Sequence, residues 1–343
     1  MNPTDTAATR PGEELPREAL AAWLAGRLPA AETLTIEQFP SGHSNLTYLL
    51  RTTAGEYVLR RPPVGPVAPK AHDMAREYRV LEAIHPHFPP APRVLALCVD
   101  AAVIGVPFFV MERRHGVVVR RGLPAEFGEI PHATERLSRT LIDGLATLHA
   151  IDVTGAGLGA LGKPEGFLLR QVSGWADRWY RARTAELPVM DRVISWLGSE
   201  RPVSPAATIV HNDYKLDNVM FATTDPDQLV AVLDWEMTTI GDPLADLGLT
   251  LTYWSLPEAR RVSGMDADQG WWTRDQMVAR YGERSGRELR WLPWYEVLGI
   301  FKLAVIIQQI FARYAKGQTQ DPRFRDLGRQ VEALVAAAAT RIG

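Results

Sequence analysis

The N-terminal third of the chain carries the hydrophobic pattern of one helix followed by a small sheet. Apolar residues recur at helical spacing within residues 14–28, which predicts a short amphipathic helix. Three later segments alternate apolar and polar positions or carry β-branched and aromatic residues, as strands do: 33–39, 45–52 and 56–61. Thr53-Ala54-Gly55 suits a tight turn between the last two, so the pattern predicts a β-meander.

The remaining pattern changes from mixed to helical. After a proline-rich stretch the sequence predicts one helix and two strands, over residues 72–84, 93–99 and 107–113. Beyond Pro131 it predicts helices at 137–149, 172–183 and 191–197 and from Leu244 to the C-terminus. One strand-rich patch, Thr208–Met237, interrupts these helices. Short apolar runs in this patch are each followed by polar residues able to do chemistry.

A sheet-rich part followed by a helical part predicts an α+β fold with two lobes and a cleft between them. The predicted divisions are an N-terminal tail with its short helix (1–30), a β-rich N-lobe (31–112) and a mainly helical C-lobe (113–343).

Composition and charge narrow the possible partners. The 343 residues are 46% hydrophobic and 23% charged, with a formal net charge of −2. Because no global basic field exists, we expect no nucleic-acid partner. Cys98, the single cysteine, lies in an apolar run and is expected to be buried. The apolar segment 297–311 is too short for a membrane span, so we expect it to be a core helix. The polar N-terminus lacks a signal pattern, and we therefore expect a cytoplasmic protein without a membrane partner.

The strongest chemical signal is the segment His211–Asn218, which has the H-x-D-x-x-x-x-N spacing of a phosphoryl-transfer catalytic loop. In this pattern Asp213 can accept the proton of an attacking hydroxyl. Asn218 offers an amide oxygen, a hard ligand that suits Mg²⁺. Asp234 follows the next apolar run and is the natural second metal ligand. Isolated Asp and Asn residues in loops often serve turns, but the joint spacing favours the catalytic interpretation.

These motifs resemble those of the aminoglycoside phosphotransferase family, relatives of the eukaryotic-like kinases that act on small molecules. The segment Gly241–Leu247 extends the resemblance, because it is similar to a D-P-x-x-D-L motif whose aspartates, here Asp242 and Asp246, brace the catalytic loop. The resemblance covers roughly Phe39 to Tyr314. It implies a two-lobed protein-kinase-like fold, ATP and Mg²⁺ as cofactors, and a small hydroxylated molecule as the phosphoryl acceptor.

The same resemblance assigns nucleotide-binding residues in the N-lobe. Ser41-Gly42-His43-Ser44-Asn45 resembles the family's nucleotide loop, where small residues let backbone N–H groups approach phosphate. Arg60 occupies the position of the strand lysine that contacts the α- and β-phosphates, and Glu77 is its expected ion-pair partner. Met111 and Glu112 lie in the segment that resembles the hinge, whose amides would bind adenine.

The acceptor is predicted from a narrower resemblance and from charge. Arg60-Arg61-Pro62-Pro63 and Val232–Glu236 are similar to a subgroup whose kinase-like domain also occurs fused to acyl-CoA dehydrogenases. This resemblance implies a hydroxyacyl group as acceptor, as a CoA thioester or as the free hydroxy acid. Basic residues at 113–121 and after residue 287 favour an anion over a polycation.

Several alternatives stay open from the sequence. Arg60 in place of lysine would also suit a non-catalytic, pseudokinase-like nucleotide-binding module. An aminoglycoside, choline or sugar kinase would share the same motifs. A protein kinase is disfavoured because Asp234-Trp235-Glu236 replaces D-F-G and no A-P-E segment follows. The oligomeric state and the preference for ATP over GTP are not predicted.

Overall fold

The structure, a computed structural model, describes residues 5–40, 45–63, 73–120, 122–257, 270–319 and 321–342. Its contacts divide the chain into two units. Unit 1 comprises Met1–His115 and Leu233–Glu236, and unit 2 comprises Gly116–Val232 and Met237–Gly343. The sequence pattern predicts contiguous lobes. In the structure unit 1 is discontinuous, because Leu233–Glu236 belongs to it although the segments on either side belong to unit 2.

Unit 1 is built on a five-stranded antiparallel sheet with the order β1-β2-β3-β5-β4. Its elements are α1 (Arg17–Leu24), β1 (Thr35–Gln38), β2 (Leu46–Thr52), β3 (Gly55–Arg61), α2 (Met74–Ile84), β4 (Val94–Cys98) and β5 (Phe108–Glu112). Thr52 pairs with Gly55 in the β2–β3 register, so a two-residue turn joins these strands. The predicted meander and its turn are confirmed.

The core of unit 1 explains its first helix. Leu20 and Leu24 of α1 are fully buried in one cluster with Tyr48, Leu59 and Phe108 of the sheet. Burying each such side chain contributes about 1.5–3 kcal/mol, so α1 is part of this unit rather than a loose tail. Cys98 is also buried in this cluster, as predicted, and burial raises the pKa of its thiol.

Helix α2 presents an acidic residue on its buried face. Asp73 caps the helix by accepting a hydrogen bond from the Arg76 amide at 2.9 Å. Glu77 is only 2% exposed, and it shares the buried face with Val80 and Ile84 at helical spacing. A carboxylate on that face requires a partner within the unit.

Unit 2 combines two small sheets with helices. The strands are β6 (Val117–Val118), β7 (Thr208–Val210), β8 (Val219–Ala222), β9 (Asp225–Val232) and β10 (Thr239–Gly241). The helices are α3 (Ala133–His149), α4 (Phe167–Ala182), α5 (Pro188–Ser199), α6 (Pro243–Ser255), α7 (Arg274–Ser285), α8 (Leu292–Ala315) and α9 (Leu327–Ala339). The sheets have the orders β6-β8-β9 and β10-β7. Neither β6 nor β10 lies in a segment that the sequence predicts as a strand.

Helices α6 and α8 approach closely at two glycines. A Cβ atom on Gly299 would lie 2.6 Å from Thr252 Oγ1 and 2.8 Å from the Gly248 carbonyl oxygen, so a larger residue would force the helices apart. The close packing holds two buried charged residues near the loop that follows β7: Asp246 on α6 and Lys302 on α8, each 1% exposed.

Helix α8 is longer than the sequence pattern predicts. It spans 24 residues and is long and apolar enough, by length and composition, to cross a membrane. The expectation that this segment is too short for a span was therefore wrong. However, 72% of its most apolar window is buried within the protein, and the helix packs on α4, α6 and α9. This packing is that of a core helix.

Candidate active site

The loop between β7 and β8 holds the predicted base and one predicted metal ligand. A single 3₁₀ turn, Leu216–Asn218, brings Asn218 back towards Asp213. The Asn218 amide Nδ2 donates to Asp213 Oδ2 at 2.8 Å and to the Asp213 carbonyl oxygen at 2.9 Å. This orientation leaves Asn218 Oδ1 as an acceptor to which no described residue donates. The structure therefore brings Asp213 and Asn218 together.

Lys215 is a member of this loop that the sequence argument missed. Its Nζ lies 3.2 Å from Asp213 Oδ2 and 5.1 Å from the centre of the Tyr253 ring. Burial is the largest influence and opposes the charged amine, but Asp213, Tyr253 and Asp217 together outweigh it and raise the pKa of Lys215. The sequence does show a lysine two residues after the predicted base, and this spacing could have indicated the contact. The lysine places a positive charge beside the carboxylate of the predicted base.

Asp246 holds the start of the loop through backbone hydrogen bonds. Its Oδ2 accepts from the His211 amide at 2.5 Å, and its Oδ1 accepts from the Asn212 amide at 2.6 Å. His149 Nε2 lies 3.3 Å from the same carboxylate, while His149 Nδ1 lies 2.8 Å from the Tyr281 hydroxyl oxygen. Asp246 thus braces the start of the loop His211–Asn218, as predicted.

Electrostatics support an ionised Asp246 beside a neutral histidine. Burial would raise the pKa of Asp246, but hydrogen bonds from His149 and from the loop amides lower it below the ordinary value. Burial lowers the pKa of His149. A neutral imidazole with its proton on Nε2 donates to Asp246 and accepts from Tyr281, so both nitrogens of the buried ring have a partner.

Asp242 does not share that bracing role. Its Oδ1 caps α6 by accepting from the Leu244 amide at 3.0 Å, and its Oδ2 accepts from the Tyr295 hydroxyl at 2.6 Å. The carboxylate therefore joins the start of α6 to α8. The prediction that both aspartates brace the loop is right for Asp246 and wrong for Asp242, because the proline at the first helical position directs Asp242 to capping.

In unit 1, Arg60 connects two of the predicted site residues. Its Nη2 donates to Asp234 Oδ1 at 3.2 Å and to Glu77 Oε2 at 3.4 Å. Its Nε lies 3.2 Å from Glu77 Oε1, without hydrogen-bond geometry. The expected Arg60–Glu77 ion pair is therefore present, and Asp234 adds a second carboxylate to it.

Asp234 has the left-handed backbone conformation, with φ of +66°, which is uncommon outside glycine. Its side chain is 31% exposed, and no described residue donates to its Oδ2. Strained backbone conformations are concentrated at functional sites, where the surrounding structure maintains them. The Arg60 contact fixes one carboxylate oxygen and leaves the other available.

Three carboxylates, those of Glu77, Asp234 and Glu236, act on the single positive charge of Arg60. Glu236 Oε2 accepts from the Asn45 amide at 2.9 Å, and its negative charge acts on Arg60 together with those of Glu77 and Asp234. Burial, opposed by Arg60 but assisted by the other two carboxylates, raises the pKa of Glu77 to about 7. These carboxylates raise the pKa of Arg60, which remains charged. The excess of negative charge suits an additional cation.

Magnesium is the cation that the motifs imply, and each unit offers an oxygen that suits it. Within the described ranges, no group of three or more His, Cys, Asp or Glu side chains has the arrangement of a metal site. Magnesium does not require such a cage, because it commonly binds one or two protein oxygens and completes its shell with phosphate oxygens and water. Asn218 Oδ1 in unit 2 is an oxygen of this kind, and so, separately, is Asp234 Oδ2 in unit 1.

Two N-lobe predictions have different outcomes. Ser41, Gly42, His43 and Ser44 lie outside the described residues, whereas Asn45 is described and donates to Glu236. Met111 pairs with Val58 inside the sheet, and the Glu112 amide donates to the Arg93 carbonyl oxygen at 2.9 Å. The Glu112 amide is therefore not free for adenine. The sheet extends through Glu112, so the expectation fails for that amide, and the assignment of Met111 stays a prediction.

The predicted basic surface after the hinge is largely neutralised. Arg113 lies 2.9 Å from an Asp5 oxygen and 3.2 Å from a Glu56 oxygen. Arg114 lies 2.6 Å from a Glu112 oxygen. These arginines bind acids of their own unit, so the charge argument for an anionic acceptor loses this part of its support. Arg121 lies outside the described residues.

Comparison with known proteins agrees with this arrangement. The model of the phosphotransferase enzyme family matches residues 35–289. Acyl-CoA dehydrogenase family member 11 from Rattus norvegicus is 34% identical over 326 residues, which cover 91% of this chain and 41% of that protein. The chain spans less than half the length of the first curated relatives it matches.

Solved structures extend the agreement to the fold. A candidate aminoglycoside phosphotransferase from Ralstonia eutropha is 30% identical with a TM-score of 0.80, covering 96% of this chain and 98% of that one. An aminoglycoside phosphotransferase in ternary complex with ADP and hygromycin B has a TM-score of 0.57 at 15% identity, covering 93% and 98% of the two chains. The predicted α+β, kinase-like fold is confirmed. Since the family match covers most of its residues, the chain belongs to the phosphotransferase enzyme family.

Proposed function

We propose that this protein is an ATP- and Mg²⁺-dependent phosphotransferase that transfers the γ-phosphoryl group to a hydroxyl of a small molecule. The observation that carries the proposal is the environment of Asp213. Its carboxylate accepts from the Asn218 amide at 2.8 Å and lies 3.2 Å from the Lys215 ammonium. A base fixed in this way, with a cation beside it, is what phosphoryl transfer to an alcohol requires.

The proposed step moves one proton and one phosphoryl group. The acceptor hydroxyl oxygen forms a bond to the γ-phosphorus, and the bond from that phosphorus to the β–γ bridging oxygen breaks. ADP leaves with the electron pair, and Asp213 takes the hydroxyl proton. Lys215 supplies a positive charge beside the base, which stabilises negative charge on the transferred group.

Unit 1 residues bind the nucleotide in this proposal. Arg60 grips phosphate oxygens through its planar guanidinium, and Glu77 fixes that guanidinium from behind. Asn218 and Asp234 would each offer an oxygen to a magnesium ion, which would neutralise phosphate charge. Because transfer proceeds through a loose transition state, this positioning and charge neutralisation account for most of the catalysis. The pseudokinase alternative is less well supported, since the base and both metal ligands are present.

For the acceptor, we propose a hydroxyacyl-CoA or the corresponding hydroxy acid. The support is the similarity to proteins named acyl-CoA dehydrogenase family members 10 and 11, at 31% and 34% identity. Those proteins are much longer than this chain, so the dehydrogenase name describes a larger molecule. Aminoglycosides are bound by more distant neighbours, whose 15% identity supports the fold alone.

Two measurements test this function in sequence. Calorimetry with Mg-ATP should detect magnesium-dependent binding, and a hundredfold excess over Kd should stabilise the fold by about 2.7 kcal/mol. ADP release is then measured with hydroxyacyl-CoAs, hydroxy acids, choline, sugars and aminoglycosides at two salt concentrations. We expect turnover with the hydroxyacyl compounds that weakens as salt rises. No nucleotide binding at millimolar concentration would refute the enzyme, and preference for kanamycin-like polycations would refute the acceptor.

Arg60 provides a prediction that separates the enzyme from a pseudokinase. Arg60→Ala should lower kcat/KM by at least about 10²-fold, because it removes the phosphate contact and leaves Glu77 and Asp234 without their cation. Arg60→Lys restores a point charge and should stay within roughly tenfold of wild type. The matched control is Arg51→Ala on β2, whose side chain is 48% exposed and which should behave as wild type. Equal turnover in wild type and Arg60→Ala would show that this residue does not orient phosphate.

A further inference from the structure

We infer that Lys302 is a positioning residue for the base, acting through its hydrogen bond to Asn212. The inference rests on the proposed function, because it takes Asp213 as the group that accepts the proton. Lys302 belongs to no motif of the sequence argument, and its side chain lies in the middle of helix α8.

Lys302 occupies a place where an apolar residue would be expected. It is 1% exposed, and its neighbours Phe301, Leu303 and Ala304 on α8 are equally buried. A buried ammonium loses its hydration, which is costly unless a partner compensates it. Helix α8 would pack without this charge, so the amine must be explained by what it contacts.

The contact is the residue directly before the proposed base. Lys302 Nζ donates to Asn212 Oδ1 at 3.2 Å. Asn212 has φ of +67°, in the left-handed region, and three contacts hold it there. Its amide donates to Asp246 Oδ1 at 2.6 Å, its Nδ2 donates to the Met237 carbonyl oxygen at 3.0 Å, and its Oδ1 accepts from Lys302. Lys302 thus completes the fixation of the peptide that leads into Asp213.

The charges around Lys302 support a role for its positive charge. Asp246 on α6 and Asp213 in the loop act on it as negative charges, and Arg178 on α4 acts as a positive one. The ring of Trp175, also on α4, lies 5.7 Å from Nζ. Burial is the dominant influence and lowers the pKa of Lys302 to about 8, within the range where an enzyme assay can follow it.

Two consequences of titration have opposite signs. Between pH 8 and the ordinary lysine pKa of 10.5, the unfolded chain holds a proton that the folded chain has released, so this group makes the fold more stable as pH rises. Turnover should change in the other direction. A neutral amine is a weaker donor than an ammonium, so the hold on Asn212 weakens as pH rises through about 8.

A double-mutant cycle tests the inference with Lys302→Met and Asn212→Gly. Lys302→Met keeps the volume and removes the charge, and it should lower kcat by about 10- to 100-fold with the nucleotide KM unchanged. Glycine at position 212 tolerates positive φ but has no side-chain oxygen to accept from Lys302. In the Asn212→Gly background, Lys302→Met should therefore lower kcat by less than about threefold. Lys316→Met, an exposed charge removal at the end of α8, is the matched control and should keep wild-type turnover.

The outcomes of the cycle are separable. Equal losses in both backgrounds, or unchanged kcat in Lys302→Met, would overturn the inference. Lys302→Met should also keep or raise the melting temperature, because it removes a desolvated charge from an apolar helix. A fall in melting temperature that accounts for the loss of activity would show a structural role and would likewise overturn it.

A pH profile and hydrogen exchange complete the test. The kcat of wild type should fall about two- to tenfold as pH rises through 8, and that of Lys302→Arg should not, because guanidinium stays charged. If wild type shows no turnover at all, the proposed function fails, and exchange at residues 212–214 still decides the contact. Lys302→Met should speed exchange there, whereas unchanged exchange would overturn the inference whatever the activity.

Discussion

Asp213→Asn is expected to lower the turnover number by about 10² to 10⁴ while leaving nucleotide affinity nearly unchanged. The amide occupies the same volume as the carboxylate but cannot take the proton of the acceptor hydroxyl. It also removes the charge that pairs with Lys215 at 3.2 Å. Turnover is measured as steady-state ADP release with the acceptor identified among the candidate compounds listed above. The affinity for Mg-ATP is measured by calorimetry.

Two comparisons define the meaning of that result. Asp234→Ala should abolish magnesium-dependent nucleotide binding, because it removes a proposed metal ligand rather than the base. Glu332→Gln, on the exposed face of α9, is the matched removal of one negative charge and should keep full turnover. If Asp213→Asn turns over the true acceptor as fast as wild type, the assignment of the base is wrong.

Asp246→Ala is expected to destabilise unit 2 by about 3–5 kcal/mol. The substitution leaves the amides of His211 and Asn212 without an acceptor in a buried site. It also removes the partner of the buried His149, which lies 3.3 Å away. An unpaired buried donor costs about 1–3 kcal/mol, so three such groups account for the expected loss.

The pH dependence of this loss has a definite sign. Since the pKa of Asp246 is lower in the folded chain, its contribution is complete above the ordinary carboxyl value of 3.8 and is lost as pH falls through the lowered value. Urea denaturation at neutral pH should show the full difference, and denaturation in strong acid a smaller one. Glu332→Ala serves as the control and should change the unfolding free energy by less than about 0.5 kcal/mol. A wild-type urea midpoint for Asp246→Ala would contradict the bracing role.

The features that the sequence predicts correctly are those set by residues close together along the chain. The turn between β2 and β3 follows from Thr53-Ala54-Gly55, and the loop chemistry follows from the eight residues His211–Asn218, since each signal depends on neighbours along the chain. The Arg60–Glu77 pair was predictable only through the family resemblance, because the two residues lie on different elements.

What could not be predicted depends on contacts between distant segments. Lys302 is 90 positions from Asn212, and its place in an apolar helix indicates only a core position with one polar exception. Lys215 has the appearance of a solvated loop lysine until Asp213 is seen beside it. The Glu112 amide looked available because the sequence does not show that β5 pairs with residues beside β4.

The return of Leu233–Glu236 to unit 1 has a consequence for chimeric enzymes. The chain crosses between the units three times, at 115/116, 232/233 and 236/237. A crossover after residue 115 in a hybrid gene would therefore take Arg60 and Glu77 from one parent and Asp234 from the other. Recombination of this family should preserve activity only when both segments of unit 1 are inherited together, so its natural unit of exchange is discontinuous in the gene.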